Sequence, residues 1–439
     1  MSSSNWIGKG AVINRNYDKV HRSERKITKY DVLVEPGVCS KVFGDGCEVL
    51  PSVTELFEFE MAYLEYKALN ERDLIERSAY FKTVNGKPTR HFLQCSRPRM
   101  SEQSRSAAAK AYFEEGQFST GYATHGLFPY RGKFHPQLVR GILNIIGVRQ
   151  GETILDPMCG SGTANIEAAL MGIHSTAVDI SPFCQLMTKA KYDALTVNGQ
   201  TLLKMKGKPD QVFDFFIKRD VSRRVAKLNT PDKVKAYEIA LLAFLDAMGY
   251  ARRVSTRTHK ELFATVLSRY LSTIEEFQSN PFFDKSKFGS LKILPSGDAT
   301  GLETEDSSVD GVITSPPYSF AIDYAENDAP QLEYMGYNVE QLRTNMIGLK
   351  GRNKNKKLEA YFTDMGRVCS EVSRVLKKGR CFVIIIGSNT NQTGGVRLES
   401  RVIESCEKVE LKLVRSILKP IKGMRNTMKD EYILFFRKE

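Results

Sequence analysis

Along residues 136–195 the apolar positions alternate between a strand-like and a helix-like spacing. The β-branched runs "ETILDP" at 152–157 and "HSTAVDI" at 174–180 have the length and composition of buried strands. The stretch between them, "GTANIEAALMG", and the stretch after them place apolar residues at helical spacing. Strands that alternate with helices predict a parallel sheet with helices on both faces.

Residues 196–290 interrupt the alternation, and the strand pattern then resumes at residue 291. The longest apolar stretch of the interruption, "YEIALLAFLDAMGYARR", has helical spacing, so we expect much of this segment to pack on the core. Strand-like runs continue to "EYILFFRK" at the end of the chain. We predict an α/β fold: a doubly wound, mostly parallel, seven-stranded Rossmann-like sheet, with residues 121–195 and 291–439 as its two halves and 196–290 as a helical insert.

Residues 1–120 show a different pattern and predict a separate α+β region. The stretch "VTELFEFEMAYLEYKALNERDL" is helical in character, and Asn85-Gly86 between two β-prone arms predicts a tight hairpin. Residues 77–110 carry eight Lys or Arg residues and one acid, Glu102. We expect this region to be a candidate for DNA recognition.

The composition favours a soluble globular protein with a substantial core. Of the 439 residues, 41% are hydrophobic and 26% are charged. The longest apolar runs, such as "CFVIII", are far too short to span a bilayer, and the start "MSSSNWIGKG" lacks the apolar region of a secretory signal. We therefore expect a cytoplasmic protein with no membrane partner.

The eight cysteines are scattered, and neither a C-x-x-C pair nor a histidine at zinc-ligand spacing accompanies them, so we expect no metal site. The net charge of +13 instead indicates an acidic polymer as a partner, nucleic acid above all. A basic surface without such a partner is the alternative that charge alone leaves open.

The segment "LDPMCGSGT" at 155–163 predicts a ligand site, because a strand ends at Asp156, a glycine-rich loop follows, and a helix opens at Thr163. Gly160 and Gly162 allow a ligand to approach the backbone closely. Asn165 stands where a dinucleotide-binding loop would have its third glycine, and no Gly-Lys-Ser/Thr of a phosphate-binding loop follows. Asp179, at the end of the next strand, can accept hydrogen bonds from both hydroxyls of a ribose.

The segment "TSPPY" at 314–318 follows a buried strand-like run, "VDGVI". Proline lacks an N–H group and fixes φ, so Pro316 and Pro317 must end the strand in a stiff loop. In an open α/β sheet, ligands bind at this carboxyl edge.

These segments carry a family resemblance. "DPMCGSGT", "AVDIS" and "TSPPY" resemble the motifs of amino-methylating DNA methyltransferases that use S-adenosylmethionine, over about 125–195 and 290–439. Serine before Pro-Pro-Tyr is similar to the cytosine-N4 subgroup, whereas adenine-N6 enzymes usually carry Asp or Asn there. "FPYRGKFHPQL" resembles the segment that these enzymes fold over the cofactor, and "SGDAT" resembles the acidic turn near its adenine.

The resemblance implies a set of cofactor-binding residues: Phe134, His135, Pro136, Asp156, Met158, Cys159, Gly160, Ser161, Gly162, Thr163, Asp179, Ile180, Asp298 and Ala299. Met158 departs from the family, which usually has phenylalanine there. The family's specificity region often follows the last strand, whereas this chain ends at Glu439. We therefore expect the DNA sequence to be recognised by residues 1–120, by the insert, or by both.

The implied catalytic residues are Ser315, Pro316, Pro317 and Tyr318. The Ser315 hydroxyl and the Pro316 carbonyl can accept hydrogen bonds from an exocyclic base amine, and Tyr318 can stack on a base that has been flipped out of the duplex. No G-x-S-x-G surrounds Ser315, which disfavours a hydrolase. Carbon-5 methylation of cytosine typically needs a cysteine after proline, and no Pro-Cys occurs in the chain.

Two groups of cations are candidates for DNA contacts. Lys82, Lys87 and Arg90 lie on or beside the predicted hairpin, and a two-stranded ribbon can enter the major groove. Lys350, Arg352 and Lys354, followed by Lys356 and Lys357, are expected in a loop that clamps phosphates beside the flipped base, or in a solvated loop.

The expected partner is double-stranded DNA, with a cognate restriction endonuclease as a further partner that the resemblance implies. Three other functions stay open at the level of the sequence. They are an adenine-N6 DNA methyltransferase, an RNA guanine-N2 methyltransferase and a nucleic-acid-binding protein without catalysis.

Overall fold

The chain divides into two compact units, Met1–Ser119 and Thr120–Glu439. A computed structural model describes residues 36–53, 55–95, 121–130, 132–218, 228–252, 256–317, 323–387, 393–421 and 430–439. None of the helices within these ranges combines the length and apolarity that a membrane crossing requires.

The described residues of the first unit, within 36–95, form four short helices and a small antiparallel sheet. In chain order its elements are α1 Pro36–Phe43, β1 Cys47–Val49, α2 Leu56–Ala68, α3 Glu71–Arg77, β2 Phe81–Val84, β3 Lys87–Pro88 and α4 Arg90–Cys95. The buried ring of Phe43 contacts Phe81 and Tyr66 with ring centroids 5.1 and 5.4 Å apart. The core of the first unit is therefore small and rich in aromatic side chains.

The predicted hairpin is present, but it is not a free two-stranded ribbon. Asn85 and Gly86 both adopt positive φ, as a tight turn requires, and they join β2 to β3. β1 pairs with the other edge of β2, so the sheet has three strands in the order β1-β2-β3. The second arm is only two residues long, because Pro88 cannot donate to a ladder and a helix begins at Arg90.

The second unit begins its sheet with alternating helices and strands, as the apolar spacing predicts. These elements are α5 Pro136–Ile145, β4 Thr153–Asp156, α6 Thr163–Leu170, β5 His174–Ala177 and α7 Pro182–Thr196. The insert follows with α8 Gly199–Lys206, α9 Pro209–Ile217, α10 Pro231–Ala251, α11 His259–Ser279 and a 3₁₀ turn at Lys285–Lys287.

The second half of the core contains the remaining strands and the helices between them. They are β6 Leu291–Ile293, β7 Val309–Thr314, α12 Tyr324–Asn327, α13 Ala329–Tyr334, α14 Val339–Asn345, α15 Lys354–Val375, β8 Leu376–Gly387, α16 Leu398–Glu407, β9 Leu411–Pro420 and β10 Asp430–Lys438. Lys354 is the first residue of α15 rather than part of a loop, because Asn353 caps the helix by accepting from the Lys356 N–H.

The seven strands form one sheet in the order β6-β5-β4-β7-β8-β10-β9. β6, β5, β4, β7 and β8 are parallel, and β10 pairs antiparallel with both β8 and β9. The strand order reverses between β5 and β7, on either side of β4, so ligand-binding loops are expected to meet there. The predicted seven-stranded, mostly parallel α/β sheet is therefore confirmed.

Apolar side chains cover both faces of the sheet. On one side Phe183 and Met187 of α7 pack with buried residues of the insert such as Leu242 and Phe263. A second buried cluster joins the strands to α15 and α16. The insert thus has a structural role as a cover for α7, as its helical spacing predicts.

Candidate active site

A cavity of about 440 Å³ lies at the carboxyl ends of β4, β5 and β7. Its volume falls within the range of small-molecule sites, roughly 300–1,000 Å³. Most of the expected cofactor residues line it: Phe134, Met158, Cys159, Gly160, Ser161, Thr163, Asp179, Ile180, Asp298 and Ala299. Ser315, Pro316 and Pro317 line the same cavity. The structure therefore brings the glycine-rich loop and the proline loop to one site.

The glycine-rich loop is shaped by positive φ angles and by helix α7. Gly162 has φ +76° as the N-cap of α6, and a Cβ atom there would lie 2.6 Å from the Thr188 Oγ1. Thr188 Oγ1 donates to the Gly160 carbonyl at 3.2 Å, and the buried Lys191 Nζ donates to the Ser161 carbonyl at 3.2 Å. A side chain at Gly162 would therefore displace α7 or the loop.

Asp179 stands in the cavity wall at the end of β5. Its Oδ2 accepts from the Gly160 N–H at 2.8 Å, and its Oδ1 accepts from the Ser181 N–H at 2.9 Å. Burial raises the pKa of Asp179 to about 6, although both backbone hydrogen bonds act to lower it. Each carboxylate oxygen has a second lone pair, so Asp179 can also accept from ribose hydroxyls.

Four residues expected to bind the cofactor do not belong to the described lining of the cavity: His135, Pro136, Asp156 and Gly162. Pro136 starts α5 with its ring buried, and burial lowers the pKa of its neighbour His135 to about 4. Gly162 acts through the loop geometry. The expected contacts of these four residues with a cofactor stay predictions.

Asp156 lies wholly buried beneath the cavity. Its Oδ1 accepts from the Thr314 hydroxyl at 2.8 Å and from the Met158 N–H at 3.2 Å. Burial raises its pKa to about 7. Asp156 therefore connects the end of β7 to the glycine-rich loop, and its expected contact with a cofactor stays a prediction.

Ser315 is partly exposed to the cavity, and Pro316 beside it is buried. The strand ladder ends at Thr314, which pairs with Ile384 of β8, immediately before the two prolines. The proline loop therefore starts from a fixed strand end. Tyr318, expected to stack on a base, lies outside the described residues.

Several cavity residues were not anticipated from the sequence. Tyr130 and Tyr324 stack with ring centroids 6.3 Å apart, and the Tyr130 hydroxyl donates to Asp328 at 3.2 Å. Burial raises the pKa of Asp328 to about 7. Lys133 also lines the cavity and donates to the His125 carbonyl at 3.2 Å. Tyr130 and Lys133 belong to "FPYRGKF", so the motif that identified Phe134 could have identified them.

The candidate DNA-binding cations lie in three settings. Lys350 lines the cavity, and its Nζ lies 2.8 Å from a carboxylate oxygen of the buried Asp364. Arg352 and Lys354 are exposed outside the cavity lining. In the first unit, Lys82 pairs with Glu48 at 2.7 Å, Arg90 pairs with Glu76 at 3.0 Å, and Lys87 is exposed at the start of β3.

Two family matches cover separate parts of the second unit. Residues 309–439 match a family described as DNA methylase. Residues 127–210 match a family described as RMKL-like, methyltransferase domain. The first match contains the proline loop, and the second contains the glycine-rich loop.

Curated relatives agree with these matches. The chain is 23% identical to the type II methyltransferase M.BsoBI of Geobacillus stearothermophilus over 306 residues, 56% of this chain and 60% of the relative. It is 30% identical to the type II methyltransferase M.MjaII of Methanocaldococcus jannaschii over 173 residues, 37% of this chain and 32% of the relative. The aligned part thus spans less than two thirds of either relative.

A short segment is similar to a protein with another substrate. Over 53 residues, 12% of this chain and 16% of the relative, the chain is 47% identical to the tRNA (guanine(10)-N2)-dimethyltransferase of Methanothermobacter thermautotrophicus. All three relatives are named as methyltransferases, and the third is named for a tRNA substrate.

Proposed function

We propose, from the premise that the chain belongs to the amino-methylating DNA methyltransferases, that it transfers a methyl group from S-adenosylmethionine to the exocyclic N4 amine of cytosine in double-stranded DNA. One observation carries the proposal: Ser315–Pro317 and the Gly160–Asp179 pair line a single cavity at the ends of β7, β4 and β5. A nucleoside-binding wall and an amine-binding loop therefore face the same space.

The cavity has the features that an adenosine cofactor requires. The Asp179 carboxylate is positioned for ribose hydroxyls, and Asp298 lies in the turn expected near the adenine. Positive φ at Gly160 and Gly162 keeps the loop close to the cavity without side chains. When bound, S-adenosylmethionine supplies a methyl group attached to a sulfonium centre, an electrophile that needs no metal.

The proline loop is suited to an exocyclic amine. Such an amine is conjugated into its ring and is a poor nucleophile, so its N–H bonds must be held while its lone pair turns toward the methyl group. The Ser315 hydroxyl and the Pro316 carbonyl are acceptors for those N–H bonds, and Pro316-Pro317 keeps them stiff. Because the amine is unreachable inside a duplex, the base must leave the stack.

Serine at position 315 favours cytosine N4 over adenine N6. A neutral hydroxyl replaces the Asp or Asn that adenine-N6 enzymes usually carry at this place. The basic charge of the chain supports a polyanionic substrate, since phosphate contacts supply much of the affinity for DNA. A cognate restriction endonuclease belongs to the same proposal and would cleave the sequence that this enzyme protects.

Nucleoside mass spectrometry tests the proposed reaction. The chain and its Ser315→Ala variant would be expressed in a host without N4-methylcytosine, and the host DNA and RNA would be digested separately. We expect N4-methylcytosine in DNA with the native chain and none with the variant. N6-methyladenine as the sole product would identify adenine rather than cytosine as the target base. Methylation confined to RNA would reject the proposal.

A second candidate is an RNA guanine-N2 methyltransferase. The 47% identity over 53 residues to a tRNA dimethyltransferase favours it. The same RNA digest would reveal N2-methylguanosine, so one experiment compares both functions.

A further inference from the structure

The ends of β4 and β7 are joined by a side-chain hydrogen bond that lies outside the cavity lining. The two strands are parallel neighbours, with Leu155 opposite Val312. At their carboxyl ends the Thr314 hydroxyl donates to Asp156 Oδ1 at 2.8 Å. Both side chains are fully buried, with 0% exposure. Neither is among the described cavity residues, so this contact is not a direct ligand contact.

The same carboxylate oxygen also holds the glycine-rich loop. Asp156 Oδ1 accepts from the Met158 N–H at 3.2 Å, and Met158 lines the cavity. Its other oxygen, Oδ2, is buried without a hydrogen-bond partner among the described residues. One atom therefore links the loop that faces the cofactor to the residue that precedes Ser315.

An apolar residue at position 156 could fill the same buried space at a lower cost in free energy. Moving a carboxyl group out of water without full hydrogen bonding is unfavourable, and burial accordingly raises the pKa of Asp156. The nearby Asp179 adds to that rise, while the bonds from Thr314 and Met158 oppose it. The hydrogen bonds of this buried carboxyl group join two loops of the site, which indicates a role beyond packing.

We propose that Asp156 is a positioning residue that, through Thr314, sets the proline loop relative to the glycine-rich loop during methyl transfer. The inference rests on the proposed function, in which the proline loop binds the base and the glycine-rich loop binds the cofactor. Methyl transfer requires the attacking nitrogen, the methyl carbon and the departing sulfur in line, because the N–C bond forms as the C–S bond breaks. A displacement near 1 Å can cost roughly 100-fold in rate. The link therefore acts on the transfer step more than on cofactor affinity.

Two substitutions at Thr314 separate the link from general packing. Thr314→Val keeps the shape but removes the hydroxyl donor, whereas Thr314→Ser keeps the donor and loses a methyl group. Both full-length variants would be compared with the native chain in single-turnover methylation of amplified, unmethylated genomic DNA. Affinity for S-adenosylhomocysteine would be measured by calorimetry.

We expect Thr314→Val to lower the transfer rate about tenfold or more, with cofactor affinity within about twofold. Thr314→Ser should stay near the native rate. Equal rates for the valine and serine variants would overturn the inference. A loss of affinity that matches the loss of rate would overturn it too, because it would make the contact part of cofactor binding alone.

Hydrogen exchange tests the link without any methyl transfer. S-adenosylhomocysteine should slow amide exchange in the glycine-rich loop of all three proteins. In the native chain and in Thr314→Ser, the protection should extend to Ile313–Ser315, and in Thr314→Val it should not. Protection that extends equally in the valine variant would overturn the link. A native chain that shows the predicted protection but methylates no DNA would instead reject the proposed function.

Discussion

The carboxyl edge of the large sheet and the described surface of the first unit place their charged groups in opposite environments. At the sheet edge, burial raises the pKa of Asp156 and Asp328 to about 7 and that of Asp179 to about 6. In the first unit, Lys82 pairs with Glu48 and Arg90 pairs with Glu76 at the surface, and Lys87 is exposed. Burial of the carboxyl groups at the sheet edge is energetically unfavourable, whereas the charged groups of the first unit are exposed to water.

The difference predicts how each region responds to substitution. A buried polar group that loses its partner costs about 1–3 kcal/mol, whereas an exposed ion pair contributes about 0–1 kcal/mol. Substitutions at the sheet edge should therefore have large effects confined to one step of the reaction. Substitutions on the first unit should have small effects that depend on salt.

The largest expected effect is on chemistry at the proline loop. Ser315→Ala removes an acceptor for the amine N–H, and we expect the methylation rate to fall roughly 100- to 1,000-fold, by analogy with the loss of one preorganised hydrogen bond in other active sites. Cofactor affinity should change little, because Ser315 faces the base. Rapid-quench methylation and calorimetry measure the two quantities. A variant with near-native turnover would reduce the proline loop to a strand terminator.

The next effect is on cofactor affinity. Asp179→Ala removes a charge-assisted acceptor, and Gly162→Val forces a side chain against Thr188. Each should weaken S-adenosylmethionine binding by on the order of 3 kcal/mol while the protein stays folded. Glu359→Ala, on the exposed face of α15, is a control that should bind normally. Unchanged calorimetric affinity for both folded variants would remove this loop from the site.

A smaller effect is expected from pH. With a pKa of about 6, Asp179 is ionised above pH 6 and takes up a proton below it, which weakens its capacity to accept hydrogen bonds. Cofactor affinity should therefore fall about tenfold from pH 7 to pH 5. Asp179→Asn cannot titrate, so its weaker affinity should be flat across this range. The same pH dependence in both proteins would assign the titration to another group.

The smallest effects belong to the first unit. Lys87→Ala should weaken binding to all DNA only a few-fold and reduce the slope of log affinity against log salt by about 1. Glu48→Gln releases Lys82 from its ion pair and should strengthen binding by a similar factor. Fluorescence anisotropy at several salt concentrations measures both. Opposite signs for the two variants identify a phosphate-binding surface, and no change in either would exclude this face from DNA.

The sequence predicts the sheet well because its strands and helices carry distinct apolar spacings. It also identifies the motif residues of both loops, since turns rich in glycine and proline are encoded locally. It fails where a role depends on which strands become neighbours. The bond from Thr314 to Asp156 joins residues that are far apart in sequence, and no spacing pattern predicts it.

In the first unit, the sequence predicts a local turn but not the sheet that contains it. The Asn85-Gly86 turn is encoded locally and is present, but β1 comes from residues 47–49 and converts the ribbon into a sheet. Arg90, expected on or beside the hairpin, follows β3 as the first residue of a helix and pairs with Glu76. Surface ion pairs between distant segments leave little trace in a sequence, because many exposed positions could supply either partner.

One labelling experiment tests the contrast between the two regions most directly. The purified chain would be incubated with unmethylated DNA and S-adenosylmethionine that carries a trideuterated methyl group, and the digested nucleosides would be analysed by mass spectrometry. We expect trideuterated N4-methylcytosine from the native chain and from Lys87→Ala, and almost none from Ser315→Ala or Asp179→Ala. Labelled product from Ser315→Ala and Asp179→Ala at the native level would contradict the assignment of the active site to the carboxyl edge of the sheet.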